Sequence, residues 1–240
     1  MIVELFIPCH MDEFRPETAR NTLKILQRLG YGVNYNMEQT CCGQPAYEDG
    51  YRDYCKEVGE KLIREFQEER YVVCPGPGCV NTVRNHYPAL FHNSSLHNAY
   101  KSVQKYFYEL SDFLCNVMSV TELGARYEAK AVLVCSCDGC SRDQSGAAQQ
   151  VLLSKVKDLH LTSLPAGLTC CGMGGGLERK NEGLAVRMAE EVLDAVEASG
   201  ADTIISADPL VLMHLQGVIR KQGRTLKTAH IADVLASGWE

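Results

Sequence analysis

The sequence lacks three features that would place it in a common class of protein. It has no basic excess: 24 Lys and Arg stand against 30 Asp and Glu, a formal net charge of −6 that leaves no electrostatic footprint for nucleic acid. It has no run of about 20 apolar residues, so insertion into a membrane is not expected. Residues 1–8 have no basic lead, and their apolar run ends at Pro8, which argues against a secretory signal peptide. We therefore expect a cytoplasmic protein with reduced thiols.

Cysteine, in contrast, is abundant, with 12 in 240 residues. In a reducing compartment, clustered cysteines indicate metal, iron-sulfur or redox chemistry more often than structural disulfides. The tripeptide Cys-Cys-Gly occurs twice, at 41–43 and at 170–172. Because adjacent thiols cannot easily bridge each other and are open to oxidation, the two pairs predict metal binding or sulfur chemistry.

Hydrophobic patterning predicts an α/β fold with two pseudo-symmetric βαβ-type repeats. Short β-branched runs, each followed by a helical pattern, predict strands at 2–8, 31–35, 71–73, 131–134, 161–164 and 203–205. Strands that alternate with helices favour a mostly parallel sheet in each half. We expect a first repeat at 1–92, a helical connection at 93–129 and a second repeat at 130–240.

Two helix predictions in the first half depend on local signals. A helix through Val83 and His86 is expected to end before Pro88, and the spacing of apolar residues predicts helical structure from Tyr100 to Met118. Both segments lie beyond the first Cys-Cys-Gly.

Cysteines follow the predicted strands of the first repeat. Cys9 comes after the first strand, Cys41 and Cys42 after the second, and Cys79 after the third. Since the carboxyl ends of parallel strands meet at one edge of a sheet, these thiols are expected to lie together. Thiolates on strand-end loops suit iron-sulfur clusters, and the neighbouring glycine lets the backbone approach a bulky group.

This order, with a second Cys-Cys-Gly half behind it, resembles the cysteine-rich CCG-domain proteins. They include the cysteine-rich subunit of heterodisulfide reductase and the iron-sulfur subunits of lactate and glycolate oxidation systems. The matching stretches sample nearly the whole chain: 5–9, 38–46, 50–53, 108–114, 121–126 and 169–172.

The resemblance implies an iron-sulfur cluster of the 4Fe-4S type, with a non-cubane form as an alternative, bound by Cys9, Cys41, Cys42 and Cys79. It also implies an electron-transfer subunit that works with other iron-sulfur or oxidoreductase subunits of one complex. That complex would oxidise L-lactate or a related 2-hydroxy acid to the 2-oxo acid. No motif in the sequence indicates a separate hydroxy-acid active site.

The sequence departs from the family pattern, which ends each half in Cys-x-x-Cys. In the first half Gly76 stands three residues before Cys79, and Cys74 is the available substitute. In the second half Val211 stands where relatives have a cysteine, and His214 is a candidate substitute.

The second repeat therefore leaves its ligand set open. Cys137, Cys140, Cys170 and Cys171 could hold a changed cluster or a tetrahedral zinc ion. Cys55 and Cys115 lie within helical patterns and are expected in the core. Two other functions remain: a thiol-disulfide catalyst of the heterodisulfide reductase type, and a non-redox scaffold stabilised by zinc or by plain thiols.

Overall fold

The computed structural model describes residues 1–135, 145–165, 168 and 170–239. Each half contains a four-stranded sheet in which every pairing is parallel. The strand order is β2-β1-β3-β4 in the first sheet and β6-β5-β7-β8 in the second, so one topology occurs twice. The strands are β1 (Ile2–Leu5), β2 (Gly32–Tyr35), β3 (Val72–Cys74), β4 (Phe107–Glu109), β5 (Arg126–Leu133), β6 (Lys157–Thr162), β7 (Thr203–Ser206) and β8 (Lys227–His230). The prediction of two α/β repeats with parallel sheets is confirmed.

Helices connect the strands in both halves. In the first half they are Cys9–Phe14, Pro16–Arg28, Gln44–Glu48, Arg52–Phe66, Pro77–Asn81, Tyr87–Phe91, His97–Tyr106 and Leu110–Asp112, with π-helical turns at Thr82–His86 and Phe113–Val117. In the second half they are Ser145–Ser154, Leu177–Lys180, Glu182–Ala198, Pro209–Gln222 and Ile231–Leu235.

Both helix predictions beyond the first Cys-Cys-Gly were wrong in extent. Helical structure continues past Pro88, because the π-helical turn Thr82–His86 runs directly into Tyr87–Phe91 and its wider turn accommodates the proline. The helix at 97–106 ends before Phe107, because residues 107–109 extend β4 alongside β3 with Phe107 opposite Val72. The limits 1–92, 93–129 and 130–240 stay predictions, although β4 adds residues from the predicted connection to the first sheet.

The fourth strand of each sheet ends in a matching helix cap. Glu109 accepts hydrogen bonds from the backbone N–H of Ser111 at 2.8 Å and of Asp112 at 3.1 Å. At the equivalent place in the second half, Nδ1 of His230 accepts one from the N–H of Ala232 at 3.1 Å. The segments 109–114 and 230–235 therefore form the same strand-to-helix turn.

One apolar core joins the two halves. It contains Val3 and Leu5 of β1 together with Ile205 of β7 and Ile231 from the last helix. The last helix packs on Pro16–Arg28, while Leu110–Asp112 packs on Ser145–Ser154, in a pseudo-twofold exchange. This arrangement turns the carboxyl ends of strands from both sheets towards a common cleft.

None of the helices in the described ranges combines the length and the apolar character that a bilayer span requires.

Candidate functional site

Five thiols of the first repeat meet at the carboxyl edge of its sheet. Cys9 begins the helix after β1, Cys41 and Cys42 follow β2, Cys74 ends β3, and Cys79 lies in the helix Pro77–Asn81. Hydrogen bonds link their sulfur atoms in the order Cys9, Cys41, Cys42, Cys79, Cys74. The structure thus brings together all the cysteines that the sequence indicates for this repeat.

Cys41 accepts hydrogen bonds from the thiols on both sides of it in this series. Hydrogen bonds from the thiols of Cys42 and Cys9, and one from the N–H of Gly43 at 3.3 Å, hold the pKa of Cys41 far below its usual range against the effect of burial. The hydrogen bond to Cys41 raises the pKa of both Cys9 and Cys42, and burial adds to it. A metal or cluster that binds here therefore displaces protons from the flanking thiols.

The backbone around the thiols leaves no room for extra side chains. Gly43 has φ +84°, and a Cβ atom there would lie 2.9 Å from Sγ of Cys55. A Cβ on Gly78 would lie 2.5 Å from Oε1 of Gln44. The N–H of Gly76 also donates to Sγ of Cys74 at 3.4 Å. Thiolates that receive backbone N–H bonds are the donor set that iron-sulfur clusters use, so the residues fit such a group.

Over the described ranges, no three His, Cys, Asp or Glu side chains are grouped so that they could hold a single metal ion. A site for a single ion differs from the site that an iron-sulfur cluster requires. A cluster presents separate iron atoms to separate cysteines, so its ligands need not converge on one point.

The second repeat keeps the turn but loses the thiol contact. Gly172 has φ +85°, and a Cβ atom there would lie 2.5 Å from the carbonyl oxygen of Ala185, which takes the place of Cys55. Cys171 is 3% exposed and packs in an apolar cluster with Val211, where Cys42 of the first repeat contacts Cys79. Val211 follows Pro209 at the start of its helix as Cys79 follows Pro77, so the two positions are equivalent.

A polar side chain holds the carbonyl group of the second cysteine in each pair. The hydroxyl of Tyr87 donates to the carbonyl oxygen of Cys42 at 2.8 Å. Nε2 of His214 lies 3.1 Å from the carbonyl oxygen of Cys171 and 3.2 Å from that of Ala185. Because both neighbours of Nε2 are acceptors, this nitrogen carries a proton and cannot also bind metal.

The remaining cysteines lie in different settings. Cys137 and Cys140 lie outside the described residues. Cys170 is half-buried and lies on the cleft between the repeats. Cys55 is buried, and the half-buried Cys115 faces the carbonyl oxygen of Ala148 at 3.7 Å.

The cleft between the two Cys-Cys-Gly segments has a volume of about 430 Å³. The first repeat contributes Cys9, His10, Gln44, Pro45, Glu48 and Gly78 to its lining, and the second contributes Cys170, Met173, Gly174, Gly175, Glu178, Arg179, Asp208 and Leu210. Arg179 crosses from the second repeat to pair with Asp49 at 2.8 Å. Cys9, the exposed thiol of the series, therefore faces a cleft whose opposite wall belongs to the second repeat.

Comparison with known proteins agrees with this geometry. The family model described as the CCG cysteine-rich domain matches residues 3–84 and 134–216, one match in each repeat. The chain belongs to the CCG cysteine-rich domain family. Both matches contain a Cys-Cys-Gly turn, and the first contains all five linked thiols.

Relatives in this family cover nearly the whole chain. Lactate utilization protein A of Bacillus subtilis (strain 168) is 37% identical over 99% of this chain and 100% of its own length. Lactate utilization protein A of Halalkalibacterium halodurans is also 37% identical, over 98% of this chain and 96% of its own. The resemblance seen in the sequence is thereby confirmed at the level of the family.

A solved structure of a hypothetical protein from Helicobacter pylori shares the fold. It superimposes on 100% of this chain with a TM-score of 0.65 and 11% sequence identity. This chain spans about half, 49%, of the length of that protein.

Proposed function

We propose that this protein is an iron-sulfur electron-transfer subunit of a system that oxidises L-lactate or a related 2-hydroxy acid. The observation that carries the proposal is the series of linked thiols on three strand ends of the first repeat. The names of the full-length relatives support the metabolic assignment.

Cys9, Cys41, Cys42 and Cys79 are the proposed ligands. When bound, an iron-sulfur cluster supplies one-electron transfer at a potential set by its ligands and surroundings. Burial of Cys42 and Cys79, which are 1% and 3% exposed, excludes water from the inner side of the site. Cys9 is exposed and gives the outer side, where electrons would pass to another iron-sulfur or oxidoreductase subunit of the same complex.

Anaerobic purification tests this assignment. We expect a coloured protein with iron and acid-labile sulfide and an EPR signal on reduction. Cys41→Ser should bind iron at least about tenfold more weakly in competition with a chelator, since even partners outside the ligand shell are worth that much in affinity. Cys115→Ser is the control, because Sγ of Cys115 faces a carbonyl group of another helix and not the linked thiols. A colourless protein that holds zinc instead would contradict electron transfer and favour the scaffold alternative.

The open cleft favours one second candidate, a thiol-disulfide catalyst. Cys9 and Cys170 from opposite repeats line the same cleft, so a small disulfide could reach the exposed edge of the thiol series. Turnover of low-molecular-weight disulfides, with an EPR signal that changes when thiol is added, would support catalysis. Absence of both in protein that carries its cluster would leave electron transfer as the function.

A further inference from the structure

Cys74 differs from a buried cysteine that only fills space. Its side chain is 0% exposed at the end of β3. Its sulfur accepts the N–H of Gly76 at 3.4 Å, lies 3.3 Å from the carbonyl oxygen of Gly76, and shares a hydrogen bond with the thiol of Cys79. A cysteine in an apolar core has no such set of polar partners.

Cys55 provides the contrast within the same repeat. It is also 0% exposed, and burial is the main cause that raises its pKa to about 11. No hydrogen bond joins it to the linked thiols, although its sulfur lies beside Gly43. Two equally buried thiols near one site thus have different surroundings.

Pro8 occupies the space that a side chain at position 76 would need. A Cβ atom at Gly76 would lie 2.7 Å from Cγ of Pro8 and 3.9 Å from Sγ of Cys74. The backbone of Gly76, with φ −112° and ψ 112°, would accept any residue. The Pro8 ring is therefore what excludes a side chain at position 76. The thiol nearest to that position is the one of Cys74, at the end of β3.

We propose that Cys74 binds the iron-sulfur cluster as a fifth cysteine ligand, at its buried end. The inference rests on the proposed function, because it assigns a ligand to the same cluster. Four cysteines are enough for an ordinary 4Fe-4S cluster, so a fifth ligand on the inner side favours the non-cubane alternative that the resemblance to the family implies. The ligands would then extend from the exposed Cys9 to the fully buried Cys74.

Paired alanine variants of the full chain test the assignment. After anaerobic reconstitution with iron and sulfide, Cys74→Ala should bind iron at least about tenfold more weakly than the unsubstituted protein in competition with a chelator, and its EPR spectrum should change. Cys55→Ala removes an equally buried thiol and should match the unsubstituted protein in both measurements. Equal iron retention and equal spectra in the two variants would overturn the assignment of Cys74. Iron absent from the unsubstituted protein would instead overturn the proposed function.

Moving the cysteine from position 74 to position 76 tests whether its thiol binds iron or only supports folding. A Cys74→Ala/Gly76→Cys variant should stay deficient in iron, because Pro8 occupies the space that the new side chain needs. Adding Pro8→Ala opens that space and should restore both iron retention and the spectrum. A triple variant that folds by circular dichroism but regains no iron would contradict the role of a ligand at this place, whereas recovery cannot be explained by packing of Cys74 alone.

Discussion

At the scale of single residues, the hydroxyl of Tyr87 fixes the backbone of the Cys-Cys-Gly turn. Tyr87→Phe leaves the buried carbonyl oxygen of Cys42 without this donor, which should cost about 1–3 kcal/mol of unfolding free energy. It should also shift the midpoint potential of the proposed cluster, because Cys42 is one of its proposed ligands and loses the bond that holds its backbone. Denaturant unfolding and an EPR-monitored redox titration measure the two effects.

Tyr100→Phe is the matched control. Tyr100 is buried in the same apolar cluster, but its hydroxyl has no hydrogen-bond partner within the described part of the chain. Removing that hydroxyl should leave the potential unchanged and stability equal or slightly higher. A Tyr87→Phe protein that behaves like Tyr100→Phe would show that the bond to Cys42 has no influence on the site.

The sequence predicted the cysteines of this site but not the residues that hold them. Cysteines placed one after another at successive strand ends are uncommon in an ordinary protein core, so their order along the chain was informative. Tyr87 looks like any core aromatic, because its partner is a backbone carbonyl group 45 positions earlier. The part played by Pro8 was equally hidden, since it depends on a close approach between two loops.

At the scale of elements, both Cys-Cys-Gly turns require glycine for two reasons. Gly43→Ala and Gly172→Ala would each force alanine into a left-handed conformation and place its Cβ against Cys55 or Ala185. Each should lower the unfolding free energy by about 2–4 kcal/mol. Gly217→Ala is the control: Gly217 lies inside the helix 209–222, and a Cβ atom added there would meet no neighbouring group within 4 Å. This substitution should raise the unfolding free energy by about 0.5–1 kcal/mol. Thermal unfolding that shows equal midpoints for all three variants would refute the steric account.

The elements that the sequence prediction missed are the fourth strands, β4 and β8. Residues 107–109 follow a helical pattern without a break, and 227–230 are mostly polar, so neither segment has the apolar run of a buried strand. The signal that could have found them is the internal repeat: Glu-Leu-Ser-Asp-Phe-Leu at 109–114 matches His-Ile-Ala-Asp-Val-Leu at 230–235. Comparing the halves with each other would have revealed both strand-to-helix turns.

At the scale of the whole molecule, the two repeats bury titratable groups of opposite kind at equivalent strand ends. Burial lowers the pKa of His230 to about 4 from its ordinary value of 6.5. The unfolded chain therefore binds a proton more readily, and the stability that neutral His230 contributes is lost as the pH falls from 6.5 to about 4. Over this pH range the unsubstituted protein should lose on the order of 3 kcal/mol of unfolding free energy relative to the His230→Gln variant. Unfolding by denaturant at a series of pH values measures it, and a constant difference across this window would contradict the burial of a neutral ring.

Glu109 should produce the opposite dependence in the first repeat. Burial raises its pKa to about 8 from 4.5, although the N–H groups of Asp112 and Ser111 favour the charged form. The folded protein therefore binds the proton more tightly, so the contribution of Glu109 is complete below pH 4.5 and is lost as the pH rises through 8. Glu109→Gln keeps an acceptor for the cap but cannot ionise, so the stability of the unsubstituted protein relative to it should fall with rising pH by on the order of 5 kcal/mol. The same unfolding series from pH 4.5 to 9 in a thiol reductant tests this, and a relative stability that rises with pH would show that the backbone N–H groups outweigh burial. His230 and Glu109 should therefore contribute opposite pH dependences: His230 destabilises the folded protein as the pH falls below 6.5, and Glu109 does so as the pH rises above 4.5.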